Sequence, residues 1–265
     1  MTYSPKRVVH RAKATHSVRA GATTLIGALL GSSLAAQAMA VDMSFTGTAK
    51  SLSDTVLYEE RHEVVGSCQD GVFRPQEHQI RYHRPDQANA FAAKDLTYPN
   101  SVIRPTVAFE QPDFSESLVI AYPTSDALTI DWQPPEGEKK AFEVAYSEEV
   151  VVDGGFDTLV RRHWDTMTSG GSVEFRFLAP TRGKHYAFVL EPVQNDRVEA
   201  EYTFQIRPTG MVLRFLVDPI ILGYNGNGAL TDYFGLTNIR KDLDTNHTAH
   251  IRYSVTKYPD CELTP

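Results

Sequence analysis

Cysteine is scarce: the 265 residues hold two, Cys68 and Cys261. They form no Cys-x-x-Cys pair, which removes the thiol oxidoreductase motif. No Gly-x-Ser-x-Gly occurs, so the nucleophile elbow of the α/β-hydrolases is missing. No glycine loop ends in Gly-Lys-Ser/Thr, which excludes a phosphate loop of that type. Past residue 40 the longest apolar run, Met211 to Leu222, is broken by Arg214, Asp218 and Pro219. It cannot span a bilayer as a helix, which takes about 20 apolar residues. Catalytic motifs and membrane helices are thus the first things set aside.

Acid is missing from one place. Residues 1–40 contain no Asp or Glu but carry Lys6, Arg7, Arg11, Lys13 and Arg19. The apolar run TTLIGALLGSSLAAQ follows, and then Ala38-Met39-Ala40. A basic start, a short apolar centre and a small-x-small site read as an export signal cleaved after Ala40. The expected product, 41–265, is one β-rich domain, placed in the periplasm, with secretion to the outside as second choice. The chain has 26 basic and 33 acidic residues, and the leader holds 5 of the basic ones, so the remainder has 21 against 33, a net of −12. Nucleic acid is excluded as a partner, since phosphate binding relies on clustered Lys and Arg.

An even cysteine count in an exported chain favours a Cys68–Cys261 disulfide. It would staple the C-terminal tail to an early loop and contribute about 4–5 kcal/mol by the chain-entropy model. Two free thiols are the alternative. No Leu-x-x-Cys marks the leader boundary, so no lipid anchor is expected.

Alternation dominates the rest. SLVIAY (117–122), ALTIDW (127–132), FEVAYS (142–147), VEFRFL (173–178), HYAFVL (185–190), EYTFQI (201–206), MVLRFLV (211–217) and HIRYSV (250–255) are period-two and rich in β-branched and aromatic residues. Pro134-Pro135-Glu136-Gly137, Thr181-Arg182-Gly183, Gln194-Asn195-Asp196 and Pro208-Thr209-Gly210 punctuate them as turns. One stretch changes period. Phe156, Leu159, Val160, Trp164 and Met167 fall at helical spacing, and Gly170-Gly171 follows. The fold expected is mainly β: a curved antiparallel sheet, half-barrel or barrel-like meander, with one helix near 156–168 packed on its concave side.

GYNGNG (223–228) leads into no apolar helix, so it lacks the context of a dinucleotide fingerprint. Asn225-Gly226 and Asn227-Gly228 suit a tight turn. A calcium site from Asp218, Asn225, Asn227 and Asp232 is the alternative, without the alternating spacing closed by Glu.

The stretches LYEERHEV (57–64), HQIRYHRPDQANAFAAKDLTYPNS (78–101) and RPTVAFEQPDF (104–114) resemble an uncharacterised family of exported bacterial β-proteins. More distantly the meander is similar to the half-barrels of lipoprotein carriers. Those curve one antiparallel sheet around a helix plug and hold acyl chains in the hollow. The resemblance covers roughly 57–114 and implies a fold. It carries over no catalytic residue.

Several constellations could bear chemistry. Tyr58, Glu60 and His62 share one strand face, and His78 falls on the strand expected beside it; a Glu–His pair there is an acid–base or metal candidate. The plainer reading is a solvated or cross-strand paired face. His247 and His250 lie on a strand, where residues three apart face opposite sides. His163 is placed to meet Asp131 or Glu143. Arg182, Lys184 and His185 cluster at a turn, as a carboxylate or phosphate site or as a plain hairpin tip. Phe142, Phe156, Trp164, Phe175, Phe177, Phe188 and Phe215 are the candidates to line a hollow, or to fill it as core.

Three readings follow. The first is a non-catalytic binding protein with a lipid or other apolar ligand in the half-barrel. The second is an envelope structural or interaction protein with a closed core. The third is a hydrolase around Glu60, His62 and His78. An outer-membrane barrel is disfavoured by the charged residues Glu174, Arg176 and Arg214 within its strands. No cofactor and no resident metal are called for.

Overall fold

The computed structural model describes residues 42–211 and 217–265. The expected leader with its expected cleavage point, and Phe215, lie outside them. Eight strands come first: β1 (Met43–Lys50), β2 (Val56–Gln69), β3 (Val72–His83), β4 (Ala90–Thr97), β5 (Thr106–Gln111), β6 (Glu116–Ala121), β7 (Ala127–Gln133) and β8 (Lys140–Ala145). Each pairs antiparallel with the one before. Then come β9 (Val150–Val151), two helices, α1 (Gly155–Arg162) and α2 (Trp164–Thr168), and β10 (Val173–Ala179). The run ends with β11 (Lys184–Pro192), β12 (Tyr202–Pro208), β13 (Ile220–Tyr224), β14 (Leu230–Arg240) and β15 (Asn246–Lys257).

All fifteen belong to one sheet in the order β8-β7-β6-β5-β4-β3-β2-β1-β15-β14-β13-β12-β11-β10-β9. The chain starts mid-sheet, works out to one edge, crosses to the other and works back until β15 pairs with β1. Only β9–β10 is parallel, with the helices as the crossover.

That crossing dictates the shape. Laid flat, fifteen strands would hold the edges roughly 67 Å apart. The five steps from Ala145 to Val150 reach at most about 18 Å. The sheet must therefore curl until β8 and β9 approach, although they do not pair and it stays open. Contacts across the seam agree. His185 Nε2 meets the Ala145 carbonyl at 3.1 Å. A Cβ on Gly183 would stand 2.3 Å from the Phe142 ring, so only glycine fits that turn.

The 156–168 segment is helical but broken. His163, with φ −108° and ψ 25°, ends α1 and starts α2 instead of continuing one helix. Leu159, Val160, Trp164 and Met167 are buried against Phe175, Phe204, Leu222 and Tyr224 of the sheet. Helices this short are stable only through such packing. The β9–α1 turn is tight: a Cβ on Gly155 would lie 2.1 Å from the Ile103 carbonyl oxygen.

Cys68 and Cys261 are bonded, across 193 residues of sequence. Backbone bonds from Phe73 to Glu262 and from Glu262 to Gly71 hold the tail on the β2–β3 hairpin beside the bridge. GYNGNG forms the end of β13 and its turn to β14. Asn225 Oδ1 accepts from the amides of Asn227 and Ala229, and Glu201 accepts from Gly226. β1, β4, β5, β9, β13 and β14 are strands that alternation alone did not mark, and most of the strand expected at 211–217 lies outside the described residues.

Candidate functional site

In β2 the inward residues are Tyr58, Glu60, His62 and Val64. Alternation places a glutamate and a histidine on the buried face, each about 6% exposed. Unpaired, such groups are expensive to bury. The face expected to be solvated or cross-strand paired is interior, and its polar groups pair with one another across strands.

They do so through sheet register. His62 stands opposite Ile80 of β3, which makes His78 its diagonal neighbour. His62 Nδ1 and His78 Nε2 are 2.9 Å apart. His62 Nε2 meets Glu60 Oε2 at 3.0 Å. The same oxygen accepts from the Tyr253 hydroxyl of β15 at 2.9 Å. Phe45 of β1 stacks on the His62 ring, centroids 4.1 Å apart. Tyr58 lies deeper, edge-on to Tyr82, and takes no part in this chain of bonds.

Tyr253 and Glu60 sit on strands that do not pair; β1 lies between them. Gly47 is opposite Tyr253 on one side and Glu60 on the other. A Cβ at Gly47 would stand 2.6 Å from the tyrosine ring. The missing side chain lets the ring lie across β1 to reach the carboxylate.

Burial and the nearby Glu60 raise the Tyr253 hydroxyl well above its ordinary value, so it stays a donor. His78 is held well below the ordinary 6.5 by burial first, then by electrostatic repulsion from His62, Lys94 and Arg161. Proton positions follow. Glu60 Oε2 accepts from the Tyr253 hydroxyl and from His62 Nε2–H; for the neutral ring of His62 this fixes its one proton on Nε2. Its Nδ1 then accepts from His78 Nε2–H. His78 Nδ1 is left with a lone pair and makes no hydrogen bond to a described residue.

This chain of bonds lies on the wall of a cavity of about 460 Å³ inside the curl. Phe45, Phe109, Leu118, Ile120, Phe177 and Phe188 supply much of the apolar wall; His78, Glu60 and Tyr253 belong to a polar part that also includes Lys94, Asp153, Glu116, Arg161, Arg182 and Arg240. Two further charged pairs strap the interior. Lys94 of β4, 4% exposed, reaches both oxygens of Asp153 at 2.9 and 3.0 Å. Arg240 of β14 grips Glu116 of β6 with bonds of 2.7 and 2.6 Å, across the curl between strands far apart in the sheet. Those bonds also raise Arg240 above its ordinary value.

Of the ring candidates, Phe156, Phe177 and Phe188 line the cavity. Phe142 packs at the seam, and Trp164 and Phe175 are buried in the core between helices and sheet. Arg182 lines the cavity from the short 3-10 turn Pro180–Arg182. His163 caps α1 through its backbone. His250 pairs with Asp232 at 2.8 Å, while His247 packs near Tyr58, so the two do not converge. Among the described residues, no three His, Cys, Asp or Glu side chains are grouped to hold a metal ion.

Tyr253, Gly47, Phe45, Lys94, Asp153, Glu116 and Arg240 were not singled out by sequence. Only Gly47, a glycine amid alternating residues, leaves a local signal of close approach.

No family model matches the chain, and no curated protein matches it. Among solved structures, a β-barrel-like protein of a domain of unknown function from Brucella abortus is similar at 9% identity and a TM-score of 0.39, covering 83% of this chain and 98% of that one. A likeness that loose carries no argument about activity.

Proposed function

We propose that this is an exported, non-catalytic binding protein that holds a lipid or other apolar ligand in the hollow of its curled sheet. The supporting observation is the cavity of about 460 Å³, which the six described ring candidates do not fill. Small-molecule sites have this character: about 300–1,000 Å³, mainly apolar, with a few convergent polar groups. The disulfide fits export to an oxidising compartment, the periplasm by this reading. Among the described residues no helix is long and apolar enough to cross a membrane.

A second reading has one observation in its favour. Glu60, His62 and His78 resemble a base with its orienting partners, as hydrolysis needs. Among the described residues no hydroxyl or thiol nucleophile bonds His78, and both cysteines are in the disulfide. That reading therefore requires a water as nucleophile, and binding is the simpler account. An interaction protein without a ligand would leave the hollow purposeless.

The test is uptake of a fluorescent apolar probe, displaced by unlabelled lipid. Wild type is expected to bind one probe per chain. Leu118→Trp, which narrows the hollow from its wall, is expected to bind at least about tenfold more weakly with an unchanged circular dichroism spectrum. Equal binding by both proteins would count against the cavity as the site.

A further inference from the structure

The cavity's polar wall is more specific than an apolar ligand requires. His78 Nδ1 is an unbonded acceptor beside aromatic walls, backed by His62 and Glu60. Such an arrangement can take a proton at one end and place the resulting charge at the other. We infer that the site takes a carboxylic acid headgroup, drawn in with one proton through the His78–His62–Glu60 relay, with the ligand's apolar body in the hollow. This rests on the binding reading above.

The transfer balances as follows. The acid's O–H bond breaks as its proton goes to His78 Nδ1. The proton on His78 Nε2 passes to His62 Nδ1. The ligand is now a carboxylate accepting a hydrogen bond from His78 Nδ1–H. His62 is an imidazolium, with Nε2–H still 3.0 Å from Glu60. His78 ends neutral, as its surroundings demand: burial and nearby cations oppose a charge on it. The charge rests where a carboxylate is waiting.

Of the other charged groups on the cavity wall, Arg182 and Asp218 have no ion pair among the described residues, and those closest to the relay are committed. Tyr253 donates to Glu60. Lys94 is paired with Asp153, and Arg161 with Asp157. Phe45 covers one face of His62. None supplies a competing proton acceptor to His78. An alcohol could donate to Nδ1 but would bring no proton across. An ester has none to give.

Calorimetry with dodecanoic acid and its methyl ester tests this, run near neutral pH in two buffers of different ionisation enthalpy. Free dodecanoate is ionised there, so binding should draw about one proton per ligand from the buffer. Wild type is expected to favour the acid by about tenfold or more, as a charge-assisted hydrogen bond allows. His78→Gln, which keeps a polar side chain but carries no proton, should abolish the uptake and bring acid and ester to similar affinity. Glu60→Gln should also lose the uptake while binding the ester as wild type does. Equal affinity for acid and ester in wild type, or binding of the acid without proton uptake, would overturn the headgroup inference and leave the hollow as a site. Binding of neither would overturn both readings.

Discussion

The Tyr253 hydroxyl donates to Glu60 at 2.9 Å from 193 positions further along the chain, crossing an intervening strand over Gly47. That contact joins the C-terminal half of the sheet to the N-terminal half at the polar wall of the cavity. It exists only because β1 has no side chain at that point.

Gly47→Ala should therefore act on the site. The added methyl collides with the Tyr253 ring and with Ile251. Overpacking of this kind costs about 1–3 kcal/mol. Urea unfolding should show that loss. Tyr253→Phe, which removes the hydroxyl alone, should leave Glu60 one donor short and cost about 1 kcal/mol. A Gly47→Ala protein as stable as wild type would show that the ring is free to move aside.

The disulfide should carry a large share of stability. It closes 193 residues of chain, so the chain-entropy model gives about 5 kcal/mol. A Cys68→Ala/Cys261→Ala protein is expected to unfold at markedly lower urea than wild type, with a steeper dependence on concentration if its unfolded state is more expanded. Wild type in reductant should match it.

Lys94 and Asp153 predict non-additivity. Lys94→Met leaves the mostly buried Asp153 carboxylate without its cation, held only by donors from Gly154 and Asn238, and should cost up to about 3 kcal/mol. Adding Asp153→Asn removes that orphaned charge, and asparagine tolerates the left-handed backbone that Asp153 adopts, with φ 44°. The double variant should recover part of the loss. A double-mutant cycle with no coupling would contradict the strap.

Acid should destabilise the fold through His78. Its folded-state value lies well below the ordinary 6.5. The unfolded chain therefore binds more protons below about pH 6.5, and stability must fall with pH there. The contribution is complete above pH 6.5 and is lost as the pH drops toward the depressed folded value. Unfolding curves at pH 8 and pH 5 should separate less for His78→Gln than for wild type. Equal separation would place the titration elsewhere.

Much of the architecture was legible in the chain because alternation is a local signal. The strands through 117–133 and 173–206, the helical spacing at 156–168 and the shared face of Glu60 and His62 all arise within a few residues. What was hidden is long-range. Whether the Glu60 face points to water or inward depends on the curl of fifteen strands, which the Ala145–Val150 crossing enforces. Lys94, Glu116 and Arg240 read locally as solvated strand residues, since an inward charge and an outward one look alike in period two. Tyr253 joins Glu60 only through the register of β15, β1 and β2. The break at His163 leaves the helical spacing almost intact, so the spacing alone does not show it.

The most direct test of binding is native mass spectrometry of the protein recovered from the periplasm, where the proposed reading places it, with organic extraction of whatever accompanies it. The account predicts one adduct of lipid mass per chain, recovered in the extract as an apolar compound with a carboxylic acid head. A chain carrying nothing, with an empty extract and no uptake when lipid is supplied, would contradict it.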